Sequence, residues 1–170
     1  MRRLLIAPVV LALLAPLEAF AGPDSPSQFD ATPYTAPQKV IYDVNLANPS
    51  DIKAALNTVK VHIRTLKEFG NPPFKIVIVA HGNEINALSR LNKTSFPDMY
   101  NAVKEVTDLG VAIHICRGAA KIRGYNPDDF YDLVTVVPLA PADIAKLQGE
   151  GYSYINVNLL PRITHDDLKK

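Results

Sequence analysis

One cysteine, no tryptophan and almost no net charge are the first constraints on this 170-residue sequence. A lone cysteine closes no disulfide within the chain, and it builds neither a Cys-x-x-Cys redox pair nor a thiolate zinc quartet. With no tryptophan and aromatic residues at 8%, the chain lacks the stacking platform of a single-strand nucleic-acid binder. A formal charge of +1 leaves no cationic footprint for nucleic acid or for an anionic membrane surface. The spaced glycines of a dinucleotide fold and the glycine-lysine run of a P-loop are also missing, so no organic cofactor is indicated. The four histidines form no His-x-x-His or His-Glu-x-x-His pair, and no metal is expected.

The chain does carry an export signal in its first residues. Met1-Arg2-Arg3 is a short positive segment, and Leu4 to Leu17 is an apolar run interrupted by Pro8 and Pro16. Ala19-Phe20-Ala21 then places small residues where a signal peptidase reads them. This predicts a signal peptide over 1–21, cleavage after Ala21 and a periplasmic protein. The run is shorter than the roughly 20 residues of a spanning helix, so no membrane association is expected after cleavage. In an exported chain the single thiol must be buried and inert, paired with another chain, or chemically employed.

Residues 22–38 hold Pro23, Pro26, Pro33 and Pro37 among small and polar residues, which predicts a flexible leader. A single domain follows over 39–160, and 161–170 is a polar tail. Lys39 to Asn45 and Phe74 to Ala80 are continuous apolar runs, as strands buried on both faces show. Further strands are expected over Val111 to Ile115, Leu133 to Val137 and Tyr152 to Val157. Ile52, Ala55, Leu56, Val59, Ile63 and Leu66 recur at helical spacing after Ser50 and Asp51. Other helices are expected over Glu84 to Leu91, from Asp98 to Leu109, over Gly118 to Ile122 and from Pro141 onward. Strands alternating with helices at these lengths predict an α/β fold, a mostly parallel five-stranded sheet with helices on both faces.

The third strand runs into Cys116-Arg117-Gly118 and a short helix. Ligands gather at the carboxyl ends of strands in such sheets, where amides of the next helix face the site. A thiol there, beside Arg117, is favoured as thiolate, which makes Cys116 the candidate catalytic residue. The competing reading is a small apolar plug at the end of a strand. His81, Asn83 and Asn45 end or follow neighbouring strands and are candidate ligand-binding residues on the same rim, with Arg117. His114 reads as packed against a helix, and His62 and His165 as exposed. Asp128, Asp129 and Asp132 read as a solvated loop. Tyr125, Phe130, Tyr131 and Leu133 crowd one connection, either as an oligomer interface or as a satellite cluster packed on the sheet.

Gly110-Val111-Ala112, Ile115-Cys116, Ala119-Ala120 and Arg123-Gly124 resemble, in spacing and residue type, the cysteine segment of the DsrE/DsrF-like (YchN-like) family. The resemblance extends from Lys39 to about Asn156, through Ala80-His81-Gly82, Val136-Val137-Pro138 and the Ala145 to Ile155 ending. It implies a five-stranded YchN-like domain that assembles as a homo-oligomer, a trimer or hexamer. In the sulfur-carrier members the family cysteine holds sulfane sulfur as a persulfide and passes it to a partner protein. Carried over, that role falls on Cys116. The alternative is a non-catalytic module that binds a small ligand or a protein, with Cys116 buried.

Overall fold

A computed structural model of the chain describes residues 25–169. The expected signal peptide and the first residues of the leader lie outside the described residues. The chain divides into two units, Met1–Ala31 and Thr32–Lys170. Residues 25–31 form no helix or strand, and every element named below belongs to the second unit.

Five strands build the sheet: β1 (Gln38–Val44), β2 (Phe74–Ala80), β3 (Val111–Cys116), β4 (Thr135–Val137) and β5 (Ser153–Asn156). Their order is β4-β3-β2-β1-β5, and every pairing is parallel. The last five residues of both β1 and β2 are buried without interruption, which is why these strands read as unbroken apolar runs. Val44 pairs with Ala80 and Ala80 with Ile115, so the carboxyl ends of β1, β2 and β3 share one rim.

Helices α1 (Ile52–Glu68) and α2 (Met99–Asp108) cover one face, and α4 (Ala140–Gly149) covers the other, with the short α3 (Arg117–Ile122) at the end of β3. Side chains alternate across a strand. Val40, Tyr42, Ile76, Ile78, Ile113 and Ile115 therefore meet the inward stripes of α1 and α2 in the larger core. Ile41, Val77, Val79 and Cys116 meet Ala140 and Leu147 of α4 in a smaller one. Burying each large aliphatic side chain there contributes roughly 1.5–3 kcal/mol.

Several local expectations are corrected. Glu84 to Leu91 is not an α-helix but two 3-10 turns, Asn83–Asn86 and Arg90–Asn92, because Glu84 turns inward onto backbone amides instead of continuing a helical face. α1 is preceded by a 3-10 turn at Pro49–Asp51, and neither Ser50 nor Asp51 caps it through its side chain. β4 starts at Thr135, since Leu133 and Val134 pack against the larger core ahead of the strand. Phe130 and Tyr131 are buried on that same core, with Tyr125 and Leu133 against it, so these aromatics form a satellite cluster within the chain. The polar tail holds one 3-10 turn, Asp166–Lys169.

Candidate functional site

Cys116 ends β3 and is the N-cap of α3, in extended backbone conformation. The amides that open a helix have no intrahelical acceptor. Two of them point at this sulfur: Ala119 N–H of α3 donates to Sγ at 3.4 Å, and Ala140 N–H of α4 at 3.3 Å. The second donor comes from a helix 24 residues further along the chain, which the local sequence around Cys116 could not reveal. Cys116 is 3% exposed. At Gly118 the missing Cβ matters, since a side chain there would begin 3.6 Å from Sγ and 3.2 Å from Cδ1 of Leu139. Gly118 thus faces the sulfur and the end of one half-exposed leucine. A cavity of about 280 Å³ beside it is lined by Val137, Pro138, Leu139, Ala142, Asp143 and Lys146.

His114 shares the α4-facing side of β3 with Cys116, two residues apart. Its Nδ1 lies 2.6 Å from Oδ2 of Asp143 on α4, so it packs against a helix as expected.

His81 follows β2 and sits beside Cys116 in strand register, one step beyond the Ala80 and Ile115 pair. Its ring turns the other way, toward β1. Nε2 lies 2.7 Å from Oδ1 of Asp43, and the Tyr154 hydroxyl of β5 donates to Oδ2 of the same carboxylate at 2.5 Å. That bond to Asp43 is the main reason the Tyr154 phenol titrates above its ordinary range. Asp43 is 7% exposed, and it joins three strands at one rim. No hydrogen bond links His81 to the sulfur. Asn45 is exposed just past β1. Asn83 donates to the Ala47 carbonyl at 2.9 Å, and its Oδ1 accepts from Nε and Nη2 of Arg123 at 3.1 and 3.0 Å. Arg117 is exposed and makes no bond to Cys116. It lines a separate cavity of about 330 Å³ with Lys121, Tyr125, Asn126 and Pro127.

Asp43, Tyr154, Arg123 and Glu84 are the residues that sequence reasoning missed. Asp43 did leave a signal, an acid inside a buried apolar strand one residue from its carboxyl end. Glu84 is fully buried, and its two oxygens accept from Leu46 N–H at 2.8 Å and Gly82 N–H at 2.7 Å. Burial raises its carboxyl above the ordinary range, against the opposing pull of those amides and of His81. Gly82 is required, because a Cβ there would stand 2.4 Å from both Glu84 Oε2 and Leu46 N. His62 is corrected from exposed to half-buried, with Nδ1 2.8 Å from the Tyr42 hydroxyl and Nε2 3.1 Å from Gln38 Oε1. Among the described residues no group of three or more His, Cys, Asp or Glu side chains is placed to hold a metal ion. None of the helices described is long and apolar enough to cross a membrane.

The model of the DsrE/DsrF-like family matches residues 29–157, a span that includes all five strands and the cysteine turn. The chain belongs to the DsrE/DsrF-like family. No curated protein matches it. Among solved structures, this DsrE/DsrF-like chain is similar to MTH1491, a protein of unknown function from Methanobacterium thermoautotrophicum. The TM-score is 0.58 and the identity 24%, over 71% of this chain and 99% of that one. That likeness is one of fold, and it agrees with the all-parallel sheet of five strands. Family membership gives the chain a sulfur-relay-related architecture with its cysteine at the end of β3.

Proposed function

We propose that this protein is exported to the periplasm and handles sulfane sulfur there through Cys116. The observation that carries the reading is the pair of helix-opening amides, Ala119 and Ala140, converging on one sulfur at the carboxyl end of a parallel strand. Both groups are donors, so the sulfur is held as an acceptor at the place where a strand end meets two helices. In the step proposed, the Cys116 thiolate attacks the outer sulfur of a donor persulfide, R–S–SH. A new S–S bond forms to Sγ, the old one breaks, and R–S⁻ leaves, so that Cys116 becomes Cys–S–SH. An acceptor thiolate reverses the exchange and removes the sulfur. Donor and acceptor are partner proteins or small thiols, and the working form is a homo-oligomer, a trimer or hexamer.

The burial of Cys116 favours a second reading, in which the thiol only ties α3 and α4 to the sheet and the rim binds a ligand without chemistry. Mass spectrometry separates the two. Native protein incubated at neutral pH with a small persulfide donor gains one sulfur atom, removable by dithiothreitol, and Cys116→Ala gains none. A native thiol that takes up no sulfur, and alkylates only after denaturation, removes the relay role and leaves the binding module.

A further inference from the structure

Arg117 and Lys121 stand four residues apart on α3, which makes them neighbours on one helical face. Like charges in that relation destabilise a helix by a few tenths of a kcal/mol unless something offsets them. Nothing among the described residues does. Among the described residues neither side chain has an ion pair or a hydrogen bond, although seven other lysine and histidine side chains there pair with carboxylates. Of the acids that follow α3, the Asp129 carboxylate accepts from the Asn126 amide at 2.8 Å. Both cations line the same cavity of about 330 Å³, and its remaining walls, Tyr125, Asn126 and Pro127, carry no charge. Tyr125 is a fixed wall, because its hydroxyl is held between Asn86 and Asn92 at 2.8 and 2.7 Å.

We infer that this cavity is a binding site for a small dianionic oxyanion of the sulfate, thiosulfate or phosphate type, held between the guanidinium of Arg117 and the ammonium of Lys121. Arg supplies a planar fork of donors that fits two oxygens of such an anion, and Lys a mobile point charge for a third. The site lies on the same short helix whose Ala119 amide binds the Cys116 sulfur, but it does not depend on that sulfur reacting.

The test titrates the nitrogen-labelled protein with sulfate, thiosulfate and phosphate, against nitrate at matched ionic strength as the monovalent control. Saturable shifts at the amides of Arg117, Lys121, Tyr125 and Asn126 with the dianions support the site. So does a loss of affinity of about tenfold or more in Arg117→Ala and in Lys121→Ala. Both substituted side chains are exposed, so the fold is expected to survive, and circular dichroism checks it. Thiosulfate binding more tightly than phosphate identifies the natural ligand class as a sulfur oxyanion, and equal affinities identify a general dianion site. Shifts that nitrate reproduces, no shifts at all, or full affinity in the Arg117→Ala, Lys121→Ala double variant overturn the proposal.

Discussion

Glu84 shows how much a single side chain can fix at the rim. Its two oxygens close the turn after β2 by accepting from Gly82, and hold the chain after β1 by accepting from Leu46. A protonated carboxyl can still accept at both oxygens, whereas the amide of glutamine brings an NH₂ against one backbone N–H. Glu84→Gln is therefore expected to destabilise the fold by about 1–3 kcal/mol, the cost of a buried donor left without an acceptor, measured by urea denaturation. The pH dependence has a definite sign. Burial raises the folded-state titration of Glu84, so above the ordinary carboxylate range the folded chain binds more protons than the unfolded one. Its contribution to stability is complete below that range and declines as the pH rises through the raised value. Glu84→Gln removes that decline, and an unaltered slope in the variant would assign it to another group.

At the scale of elements, apolar periodicity was enough to place β1, β2, β3 and α1, because burial on both faces or on one stripe leaves a direct mark on residue type. β2 begins and ends where the run Phe74 to Ala80 does, and the six inward residues of α1 are the six at helical spacing. Polar ties between elements left no such mark. His62 adjoins Ile63 at the margin of the α1 stripe, and only the sheet register puts Tyr42 and Gln38 within its reach. Glu84, the partners of Asp43 and the Ala140 amide were illegible for the same reason: each contact reaches a residue more than twenty positions away or a backbone group that any sequence supplies. The His62 tie can be read by titration. With Nδ1 accepting from the Tyr42 hydroxyl and Nε2 donating to Gln38, the neutral ring is matched on both sides, and burial lowers its pKa. Between that lowered value and the unfolded value of about 6.5, the unfolded chain binds more protons. The α1 tie thus contributes fully above about 6.5 and is lost as the pH falls through the folded value. Denaturation midpoints measured from neutral pH downward are expected to drop in the native sequence and to drop less in His62→Gln.

For the whole molecule, the unequal faces of the sheet bear on assembly. α1 and α2 bury one face in a continuous core, while α4 covers the other with a much smaller one. Large apolar side chains remain outside: Ile122 at the end of α3 is 86% exposed, Leu139 ahead of α4 48%, and Tyr154 and Ile155 on the edge strand β5 44% and 38%. Among the described residues β5 pairs only with β1, so its outer backbone is a template for pairing with another chain. Such surface is costly to leave in water, and a symmetric oligomer is the ordinary means of covering it. Light scattering of the native protein at micromolar concentration is expected to give a mass that is a multiple of three chains. A charge at Leu139, as in Leu139→Lys, should lower that mass if the α4 side forms the contact. It should also speed alkylation of Cys116, because this leucine stands beside Gly118, which faces the sulfur. A monomer in the native sequence removes the assembly. A lower mass in the variant with unchanged alkylation separates the contact from control of the thiol, since opening the interface would then leave the path to Sγ as it was.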